Sequence, residues 1–466
     1  MYTYELPTTG AVSFSNFCVD QSRDRAYTHH IPEATQARAN LRGLLKDSKR
    51  TEGEKDYLAL VKAIDEYLPY LQGLITCVAH DEIGTKNEPI FSWRTTLTAN
   101  LFNSSPRLEL PGLYADYSFS LLTYGFALSN LAQTVVVSLG TYELDRAISD
   151  ANRRANEDKL NVAVDFLCRA SGIFTYISEK VLPDWETSRS GPPGFHRPPD
   201  LTTEVTSALA KMALAEAQTL AIRKLLSKSA YESNITPGPP LPTSHPSPVL
   251  LARLHIECAS LYSSARLLAK TPGSSKGPSK DSSHAKEVST EMRRYLNNQA
   301  TLHSALSHKW LGVEAGEKGG TDKGGDAVGF ILWAKKELEE LKDSGKLTSL
   351  VHSDNKESDE RWKKSITQEL GVVTSFAKYY KKMNDTLHFQ PVPSQGDLQS
   401  RIPGGRIVIP AKPFTPPTPA FGPGSLEYTR RHAELLELDG AVEEANESSG
   451  NTPPPTGSYA GAGSYF

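Results

Sequence analysis

Tyr117-Ser118-Phe119-Ser120-Leu121-Leu122-Thr123-Tyr124-Gly125-Phe126-Ala127-Leu128-Ser129-Asn130-Leu131-Ala132 opens a run to Tyr142 that contains no charged residue, and its reading decides the fold. The run is long enough to span a bilayer. It also carries Ser118, Ser120, Thr123, Ser129, Asn130, Gln133, Thr134 and Ser138, a polar load that hydrocarbon penalises. The expectation is a helix buried inside protein, enclosed by further helices.

Those neighbours are visible on both sides. Leu41, Leu44 and Leu45, then Leu58, Val61, Ile64, Leu68 and Leu71, recur at helical spacing and predict an antiparallel pair over Glu33–Arg50 and Glu52–Val78. Ahead of them Met1–Asp20 is extended in character, with turn-like Pro7–Gly10. Downstream, Glu143–Leu182 begins charged and turns apolar from Val162, as a helix entering a core does, and Pro183 and the loop Ser188–Pro199 end it. Asp200, with Thr202, Thr203 and Glu204, supplies a cap for a helix to about Tyr231. Six prolines between Asn234 and Pro248 make a loop. Helices are expected again over Val249–Leu268, Glu287–Trp310, Asp326–Leu341 and Asp359–Leu387. The polar spacers Thr271–Ser283 and Glu314–Gly325 read as surface insertions. After Phe389 come nine prolines between Pro391 and Pro423, a short amphipathic piece at Leu426–Leu438 and a Gly/Ser/Pro tail, a composition expected to be disordered.

Composition narrows the function classes. Among 466 residues, 51 Lys+Arg face 54 Asp+Glu, so nothing supplies the cationic surplus that sequence-independent nucleic-acid binding requires. Cys18, Cys77, Cys168 and Cys258 are too far apart in sequence for a zinc pair or a dense disulfide framework, and read as buried small hydrophobes in a reducing compartment. Catalytic motifs are missing. No Gly-Lys-Ser/Thr follows the glycines of Gly316–Gly325, so a nucleotide loop is not expected there. His29 and His30 are adjacent and expected to diverge, and His80-Asp81-Glu82 lacks the second histidine of a helical zinc site. The mixed charges of Asp354–Lys364 read as a solvated helix end. Neither cofactor nor metal is expected.

Several local patterns, in order, carry more. They are Tyr117-Ser118-Phe119-Ser120-Leu121-Leu122 with Leu128-Ser129-Asn130-Leu131-Ala132; Ala170-Ser171-Gly172-Ile173-Phe174; Met212-Ala213-Leu214-Ala215-Glu216-Ala217-Gln218; Lys309-Trp310-Leu311-Gly312; Gly325 and Ala327; and Asn384-Asp385-Thr386-Leu387-His388-Phe389-Gln390-Pro391-Val392-Pro393. The series resembles the Bro-one domain of the ALIX-like adaptors of the ESCRT system, over roughly residues 1–412. Leu6-Pro7-Thr8-Thr9 with Ser13-Phe14, and the little chain left after the proline-rich segment, point to the short fungal members that act in alkaline-pH signalling. The resemblance implies a mainly α, elongated banana-shaped solenoid with a tetratricopeptide-like core and a small N-terminal β patch. Residues 413–466 would then be a Pro/Gly-rich, partly disordered tail with a short amphipathic helix near 426–438.

It also implies binding rather than catalysis. Bro-one domains hold the C-terminal amphipathic helix of the ESCRT-III Snf-seven subunit in an apolar groove, and a helix in a groove needs exposed aliphatic residues one turn apart. That pair falls on Leu250 and Leu254, with Ala221 and Ile222 on the preceding helix where the family has bulkier residues. A second interaction segment is expected at Tyr428, Arg430 and Arg431, whose basic-aromatic face backs onto Leu435, Leu436 and Leu438. Without a transmembrane helix, lipidation signal or polybasic cluster, the expected location is cytoplasmic, with recruitment to plasma-membrane cortical sites or endosomes by protein partners. Three readings compete: a general endosomal-sorting adaptor, an enzyme on a helical scaffold, and a tetratricopeptide-type scaffold with a Lys/Arg-rich carboxylate pocket. No regular period of about 34 residues supports the last.

Overall fold

Leu41, Leu45, Ile64, Leu68 and Leu71, the periodic leucines and isoleucine of the first two helices, are all at most 1% exposed. They face one another across an antiparallel pair, α1 (His30–Arg50) and α2 (Tyr57–Ala79). The computed structural model describes every residue except 52, 54, 99–106, 146, 189–196, 236–237, 271–287, 349–355 and 435–466. The spacer Thr271–Ser283, the first two residues of the Asp354–Lys364 cluster, and Leu435, Leu436 and Leu438 therefore lie outside the described residues.

The charge-free run forms α3 (Leu113–Leu139), flanked by α2 and by α4 (Asp150–Tyr176). By length and apolarity α3 and α4 could each cross a membrane, but α3 is mostly buried in the protein. Three of its hydroxyls are satisfied within the helix, whereas Asn130 and Asp116 bond to other segments. Thr123, Ser129 and Thr134 donate to the carbonyls of Phe119, Gly125 and Asn130 at 2.6, 2.9 and 3.1 Å, the local bond available to a hydroxyl four residues downstream.

Pro183 does not end the helix that precedes it. A π turn, Ile177–Val181, carries α4 into α5 (Leu182–Thr187), and the Leu182 amide donates to the Ile177 carbonyl five residues back. The wider turn lets the rod continue through a proline that lacks an amide hydrogen. Asp200 is not the cap of α6 (Thr203–Ile235) either. Thr202 is: its Oγ1 accepts the Val205 amide at 3.3 Å. Asp200 is instead fully buried, accepting the amides of Thr96 and Leu97 at 2.9 and 3.0 Å and the Thr98 hydroxyl at 2.7 Å. Burial raises its pKa, and these three bonds oppose the rise.

Four more long helices follow: α7 (Pro248–Lys270), α8 (Thr290–Lys318), α9 (Gly324–Thr348) and α10 (Lys356–Met383), then the short α11 (Gln395–Gln399). The long helices pack chiefly on their neighbours in sequence, α1 on α2 through α9 on α10, with α4 meeting α6 across the α5 connection, which makes a mainly α solenoid. Glu314–Gly325 is no passive insertion. Its first half is the last turn of α8, where Gly316 lies under the Tyr380 ring, and Gly324 and Gly325 let the start of α9 approach Asn384 and Pro391. The β patch is small. Strands β1 (Cys18–Asp20) and β2 (Ile83–Thr85) pair antiparallel, and β3 (Ile90–Arg94) pairs with β4 (Arg107–Pro111) so that Arg94 stands opposite Arg107. Residues 8–10 add an edge, with Gly10 donating to the Ser92 carbonyl at 2.8 Å.

The proline-rich segment after α11 is an extended strap that runs back along the solenoid in reverse helix order. Arg401 pairs with Asp326 of α9. Arg253 of α7 donates to the Gly404 carbonyl and accepts the Arg406 amide, each at 3.0 Å. Lys412 donates its amide to the Cys168 carbonyl of α4 at 3.1 Å, and the Phe414 ring lies against Tyr124 and Tyr176. Ala420 donates to the Pro69 carbonyl of α2 at 3.0 Å, and Phe421, 1% exposed, stacks on His30 with ring centres 4.7 Å apart. The ordered body therefore does not stop at residue 412: Phe421 belongs to its core and half-buried Phe414 packs against it.

Candidate partner-binding surfaces

The residues that carried the family resemblance hold chain ends in place. Asn130 of α3 grips the N-terminal segment in both directions: its side chain accepts the Tyr4 amide at 2.8 Å and donates to the Tyr4 carbonyl at 2.9 Å. Glu216 accepts the Tyr2 amide at 2.7 Å and the Tyr295 hydroxyl at 2.5 Å. Gln218 does for the strap what Asn130 does for the N-terminus, accepting the Val408 amide at 2.8 Å and donating to the Ile409 carbonyl. Ser171 ties α4 to α6 through the Ala210 carbonyl at 2.9 Å, and a Cβ at Gly172 would collide with the Lys412 carbonyl. Asn384 closes the π turn after α10 by donating to the Gln390 carbonyl at 2.8 Å and accepting its amide at 3.1 Å. Phe389, between them, takes a left-handed backbone with φ of 52°.

The expected groove residues divide. Leu254 and Ile222 are each 3% exposed, inside the cluster shared by α6 to α10. The reason is position: α7 is sandwiched between α6 and α8, so Leu251, Ala252, Leu254, His255 and Cys258 all point inward. Leu250 is half-buried at the edge of that cluster and Ala221 is half-exposed. Towards the α6–α7 corner Leu225 of α6 and Val249 of α7 are 41% and 36% exposed, while Leu226, Leu241 and Leu250 pack half-buried on the cluster. One turn farther along, Arg253 and Glu257 meet the strap at Gly404 and Gly405.

Tyr428, Arg430 and Arg431 lie on a helical stretch, residues 426–434, capped by Ser425, whose Oγ accepts the Tyr428 amide at 3.1 Å. Arg430 pairs with Glu434 at 2.9 Å and Arg431 with Glu427, so among the described residues both pair within their own helix. Tyr428 is half-buried and Leu426 is 82% exposed.

Some buried polar groups elsewhere pair with one another. Ser304 donates to Glu337 at 3.0 Å and His308 meets the same carboxylate at 2.8 Å, so serine and histidine both face the acid, and no hydroxyl is handed to a base. His29 and His30 do not diverge. Their rings are 3.9 Å apart, and His30 lies between Glu33 and the Phe421 ring, where it seats the strap. All four cysteines are buried and unpaired. Burial pushes the Cys77 and Cys258 thiols up to about 12, which makes them poor nucleophiles.

One network gives a pH prediction. Thr219 donates to the Ala215 carbonyl at 2.9 Å, so its oxygen accepts from His303 Nε2 at 3.1 Å. His303 Nδ1 then accepts from His255 Nδ1 at 2.9 Å, an arrangement that requires a neutral His303. Burial lowers the His303 pKa to about 4. Below its ordinary value of 6.5 the unfolded chain takes up a proton that the fold refuses. Stability contributed by this site is thus constant above pH 6.5 and falls as pH drops towards 4, by about 3 kcal/mol in all. The stability difference between the native chain and His303→Gln, from urea titrations at several pH values, should shrink over that window. A flat difference would contradict the neutral assignment.

Comparison with known proteins places these features. The BRO1-like domain family matches residues 21–423. A pH-response regulator protein palC from Cryptococcus neoformans is 35% identical over 100% of this chain and 99% of its own length. Proteins of the same name from Yarrowia lipolytica and Emericella nidulans are 27% and 25% identical, each over 90% of this chain and over 94% and 90% of their own lengths. The crystal structure of ALIX in complex with the SIVmac239 PYKEVTEDL late domain superposes with a TM-score of 0.57 at 15% identity. It covers 96% of this chain, which spans 56% of that one.

Proposed function

The chain belongs to the BRO1-like domain family, and from that premise we propose that it is a non-catalytic adaptor of ambient alkaline-pH signalling. In this reading it binds the C-terminal helix of the ESCRT-III Snf-seven subunit and links pH sensing at the plasma membrane to proteolytic activation of a transcription factor. The carrying observation is the end-to-end similarity to the palC of Cryptococcus neoformans, with 99% of that protein matched. A binding role is supported by the apolar side chains that the α6–α7 corner leaves accessible, Leu225, Val249 and Leu250, which suit the apolar face of an amphipathic helix. Leu254 and Ile222 act from beneath it, as its support.

Titration of the Snf-seven C-terminal helix tests the reading. Leu225→Asp with Val249→Asp should remove binding, at least tenfold and beyond detection if affinity is modest, because a charge in an apolar contact is costly. Its melting temperature should stay within a few degrees of the native chain's. Leu254→Asp should lower the melting temperature outright. Native-like binding by the double variant would refute the corner as the contact. In cells we expect diffuse cytoplasmic protein at acidic pH and cortical puncta after an alkaline shift.

A further inference from the structure

Six cations converge at the N-terminal end of the solenoid. Arg42, Lys46, Lys49 and Arg50 project from one side of the last turns of α1, at the helical spacing that stacks side chains on one face. Arg94 and Arg107 face them from directly opposed positions of the β3–β4 ladder. With Thr8 and Thr9 they line a cleft of about 460 Å³ to which no carboxylate contributes.

None of the six is in a salt bridge among the described residues, whereas Arg38, one turn back on α1, is fully matched by Asp116. The carbonyl of Gly10 and the hydroxyl of Thr9 are already taken by Arg38 at 2.9 and 2.7 Å, so the floor offers the cluster no counter-charge. Arg107 reaches only neutral oxygens, the Thr8 hydroxyl at 3.1 Å and, more weakly, Ser92. The Nε atoms of Arg42 and Arg94 are shielded from solvent and have no partner. Like charges four residues apart on a helix, or directly opposite across strands, are destabilising. Here both occur together, in a chain whose net charge is −3.

We propose that this cleft binds a phosphate-rich anion of the size of a phosphorylated sugar ring. Guanidinium forks match phosphate oxygens two at a time, and the exposed Lys46 and Lys49 ammoniums add charge at the rim. One singly charged carboxylate would leave most of the cluster unmatched. A soluble inositol phosphate and the headgroup of a phosphoinositide in a bilayer share this chemistry.

The full chain tested at physiological ionic strength separates the two sources. Inositol trisphosphate, followed by calorimetry, should bind saturably. Both Arg94→Gln with Arg107→Gln and the fully surface-borne Lys46→Gln with Lys49→Gln should weaken it roughly tenfold or more at unchanged melting temperature. In the second arm, vesicles of phosphatidylcholine carry either phosphatidylinositol bisphosphate or phosphatidylserine at equal charge. Preference for the bisphosphate vesicles, lost in the same variants, supports the site with the lipid as its source; binding of the soluble probe without vesicle binding supports it with a free anion as its source. Failure of both probes, variants that bind like the native chain, or equal attraction to both vesicle types without soluble binding would each overturn the proposal.

Discussion

Asp116→Ala should lower stability by about 3–5 kcal/mol, the range for removing one partner of a buried ion pair. Asp116 is fully buried in α3 and accepts four bonds. Arg38 donates Nε and a terminal nitrogen at 3.0 and 2.8 Å, Trp93 its indole N–H at 2.7 Å, and Tyr67 its hydroxyl at 2.5 Å. Through them one carboxylate joins α1, α2 and β3 to α3. Its loss strands a guanidinium that is 1% exposed, and leaves the Trp93 and Tyr67 donors unpaired. With total stabilities of about 5–15 kcal/mol typical of folded domains, the variant should approach global unfolding. Arg38→Met with Asp116→Leu should be less damaging than Asp116→Ala alone, because no uncompensated charge remains. Urea titration decides, and a single variant within 1 kcal/mol of the native chain would show that the network is not the keystone described.

Gly172→Leu should detach the middle of the strap. Even a methyl group at this position meets the Lys412 carbonyl, which is backbone and cannot swing aside like a flexible side chain. The Lys412 amide bond to Cys168 and the Phe414 ring between Tyr124 and Tyr176 should be lost together. We expect a cost of about 3 kcal/mol, at the upper end for overpacking, and much faster proteolysis between Pro410 and Pro423. Gly43 and Gly371 provide the contrast: nothing lies within 4 Å of a Cβ on either, so Gly→Ala in these helices should stabilise by about 1 kcal/mol. If Gly172→Leu melts like the native chain and resists protease equally, the strap is not held here.

The helices were legible because their signals are local. A charge-free run with hydroxyls at helical spacing could only be a helix packed in protein, and apolar residues three and four apart announced α1, α2 and, with Trp362, Ile366, Leu370 and Val373, α10. The site was legible only in part. The family resemblance put an aliphatic pair on α7, and Leu250 and Leu254, four residues apart, lie only about 40° apart around the helix axis; the packing of α6 and α8 on either side still buries one and leaves the other at the edge. The strap was illegible for a related reason. Prolines favour extended backbone whether it is solvated or docked, and what distinguishes the cases is a row of acceptors and gaps on distant helices: Cys168, Gly172, Gln218 and Pro69. The basic cleft escaped a search for polybasic runs because Arg94 and Arg107 reach Arg42 and Lys46 only through the fold.

The strap has a consequence for how the molecule comes into being. A ribosome delivers the helices in the order in which they stack, and each can settle on the one before it as it emerges. Residues 401–421 are made after all of them, yet they bind α9 first and α2 last in space, touching the oldest helices with the youngest residues. Until then the seats for Lys412 on α4 and Phe421 on α2 stand open. Docking of the strap is therefore a closing step, and before it a nascent chain displays a row of vacant docking sites that its own residues 401–421, or those of a sister chain on the same messenger, can fill.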